Sequence, residues 1–171
     1  GGCVQSEANP NGVMPNELVF CLGNLLKCRC LYLNCPALLS NEAIRTLIRR
    51  EESIRSICQA WEQLDVVLMG MGRADRCRLV AGDEALEREV RSSNAVADIS
   101  FNFFDAQGGL VELFGANKLV LESASLAKIP CKVVYAYGYE KAQAILAGLR
   151  AKMIDVLFTD SITADAIDKL A

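Results

Sequence analysis

The sequence KVVYAYGYEKAQAILAGLRAKMIDVLF, residues 132–158, contains the clearest indication of the fold of this chain. Two short runs rich in β-branched and aromatic residues, at 132–136 and 154–158, predict buried strands. The apolar residues between the two runs recur at helical spacing: Ala142, Ile145, Leu146 and Leu149. They predict a helix over residues 140–150. Because strand–helix–strand connections of this kind form right-handed crossovers, we expect the two strands to be parallel.

The segments on either side of this unit show similar apolar patterns. DVVLM at residues 65–69 predicts a third strand, which ends at Gly70-Met71-Gly72. Apolar runs on both sides of residues 105–108 predict a β-hairpin. Further helices are predicted at 15–26, 41–50, 53–64, 83–91 and 162–170, and a further strand at 28–33. The predicted fold class is α/β: a three-layer, Rossmann-like parallel sheet with helices on both faces and a small β-hairpin insertion.

Composition limits the classes of protein to which the chain can belong. Of its 171 residues, 52% are apolar and 23% are charged, which is typical of one globular domain; we place it at residues 1–171. Basic and acidic residues alternate and the net charge is −3, so a surface for nucleic acid is not indicated. The absence of histidine excludes Ser-His-Asp catalysis, Cys-His catalysis and every zinc site that contains histidine.

The sequence indicates a cytoplasmic protein that needs no cofactor. It has neither a secretory signal nor an apolar run long enough to span a membrane. We interpret the eight cysteines mainly as reduced core residues, since the C-x-C-x4-C spacing of Cys28, Cys30 and Cys35 does not match common zinc sites. We therefore expect no metal and no membrane partner.

Candidate binding residues follow the predicted parallel strands, because ligands of such sheets bind at the carboxyl ends of the strands. Gly70, Gly72 and Gly138 would let a ligand approach the backbone closely, although a tight turn explains glycine there equally well. Lys141 lies in the first turn of a predicted helix, where a bound anion would offset its unfavourable charge. Asp98 interrupts an apolar segment and needs a partner if it is buried. The alternatives are a solvated lysine and a solvent-facing aspartate.

The sequence resembles the SorC family of bacterial sugar-binding transcriptional regulators. NAVADISFNFFDAQG at residues 94–108 resembles the family segment Gly-Ala-Val-Gly-Asp-Ile-x-Gly-x-Phe-Phe-Asp-x-x-Gly. YGYEKAQAI at 137–145 resembles Gly-Gly-x-x-Lys-x-x-Ala-Ile, and IDVLFTDSITA at 154–164 resembles Leu-(Val/Ile)-Thr-Asp-x-x-Thr-Ala. DVVLMGMG at 65–72 is similar to the family's Val-Gly-Ile-Gly loop. The paired glycines at residues 1–2 resemble the end of an earlier family strand.

The resemblance implies an effector-binding domain with a fold like that of sugar-phosphate isomerases and deaminases. The implied effector is a sugar or sugar phosphate, and the residues that face it are Asp98 and Lys141. The resemblance also implies a homo-oligomer, dimer or tetramer. In the family, DNA is bound by an N-terminal helix-turn-helix, and a further strand and loop hold the effector phosphate. Neither is represented in this sequence, so we expect an effector domain that lacks its first strand–helix unit.

Two other functions remain open at this point. Asp98 and Lys141 could serve a sugar-phosphate isomerase or deaminase as base and electrostatic clamp, although the chain offers no nucleophile with an evident activating base. The chain could also be an oligomerisation module that has lost its ligand. We expect a non-enzymatic sensor.

Overall fold

The computed structural model describes residues 15–171, which form two compact units. The first unit contains the chain up to Gln63 together with Gly115–Val120. The second unit contains Leu64–Phe114 and Leu121–Ala171. The glycines at residues 1–2, for which a strand end is predicted, lie outside the described residues.

The first unit is helical. It contains α1 (Pro15–Leu26), α2 (Glu42–Ile48) and α3 (Glu52–Trp61), which confirms the three helices predicted for this part of the chain. The core residues of this unit alternate or recur along the chain: Leu33, Cys35, Leu39, Ile54, Ile57 and Leu119. Asn41 caps α2, since its side-chain oxygen accepts a hydrogen bond from the Ile44 N–H at 2.9 Å.

The strand predicted at residues 28–33 is wrong, since this segment is irregular. A strand needs a neighbour for its backbone groups. Within the described part of the first unit, only an isolated bridge between Leu38 and Lys118 provides such pairing. Cys28 is consequently exposed and Cys30 half-buried, and of the seven cysteines whose environment is described only Cys35 and Cys77 are buried. All seven are free thiols.

The second unit is built from two sheets and four helices. In chain order its elements are β1 (Val66–Gly70), β2 (Gly72–Arg73), α4 (Glu84–Ser92), β3 (Ala97–Ile99), β4 (Asn102–Phe104), β5 (Leu110–Val111), α5 (Ser123–Leu126), β6 (Cys131–Tyr135), α6 (Ala142–Arg150), β7 (Val156–Phe158) and α7 (Ser161–Asp168).

Parallel pairing in the order β1-β6-β7 forms the central sheet. This order confirms the predicted βαβ unit, with α6 as the crossover between β6 and β7. An antiparallel sheet in the order β2-β3-β4-β5 confirms the predicted small β insertion. The Asp105 carboxylate forms the expected turn, because it accepts hydrogen bonds from the Gln107 and Gly109 N–H groups. The α/β class is thus confirmed.

Helix α6 packs closely against both sheets because Gly148 has no side chain. A Cβ atom at this position would lie 2.6 Å from Cε of Met71 and 3.2 Å from Cδ1 of Ile99. The core beneath α6 includes buried residues of both sheets, among them Met69, Ile99 and Val134. The opposite face of the parallel sheet exposes large apolar side chains: Val66, Leu68, Tyr135, Val156 and Phe158.

A buried lysine holds the amino ends of β6 and β7 together. The Lys132 side chain is only 7% exposed, and its Nζ donates to Oδ2 of Asp155 at 2.7 Å and to the Ile129 carbonyl at 3.1 Å. The backbone N–H of Lys132 donates to the same carboxylate at 2.7 Å. These donors lower the pKa of Asp155 below its usual range.

We expect Asp155→Asn to lower the thermal midpoint at neutral pH, because it leaves the buried Lys132 ammonium without its counter-charge. A carboxyl with a lowered folded-state pKa stabilises the fold above its unfolded pKa of about 3.9, and this stabilisation is lost as pH falls through the folded-state pKa. The deficit of the variant should therefore shrink on acidification, measured by thermal unfolding between neutral and acid pH. Asp165→Asn, at an exposed position of α7, is the matched control. A deficit that is independent of pH would contradict this assignment.

Candidate functional site

The loops after β1, β6 and β7 lie at one edge of the parallel sheet. Gly70 pairs with Tyr135, and Tyr135 pairs with Phe158, so the three strands end at the same level. This edge is where parallel α/β sheets bind ligands. The segments that begin at Gly70, Tyr137 and Thr159 lie at this edge.

A hydrogen-bond network joins the loop after β6 to the loop after β7. The Gly138 N–H donates to Oγ1 of Thr163 at 2.8 Å and to Oδ2 of Asp160 at 3.2 Å. The Thr163 hydroxyl donates to Oδ2 of Asp160 at 2.7 Å. Asp160 also caps α7, since its Oδ1 accepts a hydrogen bond from the Thr163 N–H at 2.8 Å. The hydrogen bonds from Thr163, with that from Gly138, lower the pKa of Asp160.

Glycine is required at position 138 for a conformational reason. Its φ of +108° is one that side chains with a Cβ atom rarely adopt, and its N–H is already bonded to Thr163 and Asp160. Gly70 and Gly72 differ from it. Neither has a left-handed φ, and a Cβ atom at either position would meet no heavy atom within 4 Å. The space above Gly70 and Gly72 is therefore open, and a tight turn does not explain these two glycines.

Lys141 ends a 3₁₀ turn, Tyr139–Lys141, directly before α6. The predicted helix thus starts later than expected, and Lys141 precedes it instead of lying in its first turn. The lysine is half-buried, and its Nζ lies 5.8 Å from the centroid of the Tyr137 ring. This cation–π contact holds the ammonium group at the carboxyl edge of the sheet.

Asp98 lies on β3, opposite Gly72 in the antiparallel register. Its Oδ1 accepts a hydrogen bond from the Phe101 N–H at 2.9 Å, and its carboxyl bonds to the thiol of buried Cys77. The residue is half-buried, yet burial of the carboxyl is the main influence on it and raises its pKa, against the two hydrogen bonds. Burial likewise raises the pKa of Cys77, and the charge of Asp98 adds to this effect.

The turn that Asp98 supports is strained. Ser100 and Phe101 connect β3 to β4 with φ values of +51° and +66°, a conformation that glycine and asparagine normally provide. The Phe101 ring holds the turn in place: it is 2% exposed, stacks on Phe114 at 5.1 Å and meets Phe103 edge-on at 5.4 Å. Asp98 is therefore half-buried and has hydrogen-bond partners within the protein.

The structure brings the predicted residues to one region without pairing the two charged ones. Among residues 15–171 no hydrogen bond or ion pair joins Asp98 to Lys141. The loops after β1 and β6 are nevertheless neighbours. Arg73 forms an ion pair with Asp75, and the negative charge of Glu140 adds to the effect of Asp75 in raising the pKa of Arg73. Sequence reasoning missed the Cys77–Asp98 bond, for which the sequence gives no signal. It also missed the Tyr137–Lys141 contact, which the tyrosine spacing of YAYGY could have suggested.

The described chain shows no sign of two other kinds of site. Residues 15–171 contain no group of three or more Cys, Asp or Glu side chains placed to hold a metal ion. In the same range no helix has both the length and the apolar character needed to cross a bilayer.

Substitution of Asp98 separates its charge from its hydrogen bonds. We expect Asp98→Ala to destabilise the fold by about 1–3 kcal/mol, because the Phe101 N–H loses its acceptor. Asp98→Asn keeps an acceptor and should be the more stable variant at pH 7. Since the pKa of Asp98 is raised in the folded state, its ionisation opposes folding above the unfolded pKa of about 3.9. The stability of Asp98→Asn relative to the unaltered chain should therefore increase as pH rises. Urea unfolding at pH 4 and pH 7 measures both effects; equal losses for Ala and Asn would contradict this account.

Comparison with known proteins places these features in a family context. A family profile described as "Putative sugar-binding domain" matches residues 3–167 of the chain. The sorbitol operon regulator of Klebsiella pneumoniae is 29% identical over 178 residues, which covers 98% of this chain and 56% of that protein. The transcriptional regulator LsrR of the same species is 33% identical over 144 residues, which covers 80% of this chain and 45% of that protein.

Structural comparison gives the same result. The crystal structure of the full-length sorbitol operon regulator SorC from Klebsiella pneumoniae superposes with a TM-score of 0.83 at 28% identity. The match covers 94% of this chain and 52% of that structure. The chain thus spans about half the length of the curated relatives that it matches.

Proposed function

We propose that this chain, which belongs to the sugar-binding domain family of SorC-type transcriptional regulators, is the effector-sensing part of a longer bacterial regulator. The observation that carries the proposal is the family match over residues 3–167, together with the open edge of the parallel sheet. The effector is a sugar or sugar phosphate, and residues 1–171 form one effector domain. DNA is bound by a part of the regulator outside this sequence, and the protein acts in the cytoplasm without catalysing a reaction.

Asp98 and Lys141 are the residues that contact the effector in this proposal. Asp98 presents a carboxyl that is held in place by Phe101 and Cys77, which suits the recognition of sugar hydroxyls. Lys141 supplies a positive charge and N–H donors, which suit the oxygen atoms of a sugar or sugar phosphate. The open space above Gly70 and Gly72 admits the ligand, and Gly138 sets the course of the loop that carries Lys141.

Effector binding would then favour one arrangement of the regulator over another. A ligand shifts such an equilibrium only by its difference in affinity for the two states. We propose that the shifted equilibrium is that of a homo-oligomer, dimer or tetramer. The exposed apolar side chains of α1 support self-association: Leu18, Phe20, Leu22, Leu25 and Leu26. The enzyme alternative is not favoured, because the relatives are named as regulators.

A thermal-shift panel tests the proposal. The ligands are glucose 6-phosphate, fructose 6-phosphate, glucosamine 6-phosphate and ribose 5-phosphate, each beside its parent sugar. A ligand at 100 times its Kd should stabilise the fold by about 2.7 kcal/mol, which corresponds to a shift of about 5–10 °C at this size.

We expect Lys141→Ala to abolish the shift, and the matched control Lys128→Ala, at an exposed position, to retain it. A panel without any shift, or a shift that survives Lys141→Ala, would overturn the assignment of the site.

A further inference from the structure

A recess of the second unit lies between the segment that follows β2 and helix α4. Its volume is about 310 Å³, at the lower end of the range of about 300–1,000 Å³ that is usual for small-molecule sites. Its charged lining residues are Asp75, Arg76, Arg78, Glu87 and Arg91, and we refer to it as the arginine recess. Neither Asp98 nor Lys141 lines it, so it is separate from the proposed effector site.

The wall of the arginine recess is held in place by the core and by one hydrogen bond. Four of its lining residues are buried: Ala74, Cys77, Val80 and Val90. The Gly82 N–H donates to Oε1 of Glu87 at 3.0 Å, and this bond ties the segment after β2 to α4. The two walls therefore have a fixed relation to each other.

Both acidic side chains of the arginine recess already have a basic partner. Oδ2 of Asp75 lies 2.6 Å from Nη2 of Arg73, which is not a lining residue. Oε2 of Glu87 lies 3.0 Å from Nη1 of Arg91, and hydrogen bonds from Gly82 and Arg91 lower the pKa of Glu87. The charges of these two acids are thus balanced within the protein.

The other two arginines of the recess have no such partner. Within the described range 15–171, the side chains of Arg76 and Arg78 form neither an ion pair nor a hydrogen bond. Both are exposed and lie on either side of buried Cys77 in the sequence. A guanidinium group presents its N–H donors in a fixed fork that binds two oxygen atoms of one anion. The recess therefore offers two forks and two uncompensated positive charges.

We propose that the arginine recess binds a phosphate group, as an anion additional to the effector, and that Arg76 and Arg78 are its ligands. A phosphate group carries about two negative charges at pH 7, which the two guanidinium groups balance. Cys77 lines the recess and its thiol bonds to Asp98, so an anion bound here stabilises the segment that supports Asp98 from within the protein. The inference goes beyond the proposed function, because it requires neither Lys141 nor a sugar.

Titration calorimetry at constant ionic strength and slightly alkaline pH tests this site. The probes are inorganic phosphate and glycerol 3-phosphate, which distinguish free phosphate from a phosphorylated metabolite by their relative affinities. We expect Arg76→Ala and Arg78→Ala each to weaken binding about tenfold, because each removes one charged, two-pronged contact, and the double variant to abolish it. Arg78→Lys keeps the charge without the fork, so its affinity should lie between those of Arg78→Ala and the unaltered chain.

The matched control is Arg88→Ala. Arg88 is an exposed arginine of α4 that also forms no ion pair within the described part of the chain, but it does not line the arginine recess. This variant should bind both probes as the unaltered chain does. Because all three arginines are exposed, the variants should fold normally, which the thermal midpoint without phosphate establishes.

Four results would overturn the inference: no binding by the unaltered chain, normal binding by the double variant, an equal loss in Arg88→Ala, or a loss in Lys141→Ala that the double variant does not show. An equal loss in Arg88→Ala would assign the effect to net charge, and the last result would place phosphate at the sheet edge. The thermal-shift panel with sugars is read separately, so a failure of the recess and a failure of the proposed function are distinguishable.

Discussion

The loop that carries Tyr137 and Lys141 depends on one backbone group, the Gly138 N–H. It donates to Thr163 and Asp160, which belong to the segment after β7. Thr163 is completely buried and Asp160 caps α7, so neither acceptor is free to move independently. The φ of +108° at Gly138 allows the N–H to point toward them. Together with the Ala136 N–H, which donates to the Phe158 carbonyl at 3.0 Å, this bond fixes the loop after β6 relative to the neighbouring strand end.

The second constraint is the tight turn between β3 and β4. Two residues with side chains adopt left-handed conformations there, which is unfavourable unless the surroundings enforce it. Three phenylalanine rings enforce it from the core, and the Asp98 carboxyl enforces it from the other side. Asp98 therefore has a structural role in addition to the one proposed toward the effector. Strain of this kind is often found where a binding residue has to be held in one orientation.

Much of the second unit could be predicted from the sequence, because its strands and helices have strong local patterns. The βαβ unit, the turn at Asp105 and the cap at Asp160 depend on residues close together in the chain. The strand expected at residues 28–33 failed because pairing depends on a neighbour, which local pattern does not specify. The left-handed turn at Ser100 and Phe101 was missed because neither residue type signals it.

The candidate site was less predictable than the fold for the same reason. The sequence identified Asp98 and Lys141 as candidates, but their partners are distant in the sequence or depend on ring orientation. The sequence does not distinguish Cys77 from any other core cysteine, because its bond to Asp98 depends on the position of β3. The contact between Tyr137 and Lys141 requires the 3₁₀ turn before α6, which the apolar periodicity of 140–150 does not distinguish from a regular helical turn.

Helix α6 connects the loop after β6 with the hairpin turn between β4 and β5. Lys141 precedes its first residue, and Arg150 at its last turn donates to the Ala106 carbonyl in the hairpin turn at 2.8 Å. Because Gly148 brings the helix into direct contact with Met71 and Ile99, the nine residues of α6 have little freedom to bend. A displacement of α6 at its lysine end would therefore also move its other end, about 13 Å away at the hairpin turn.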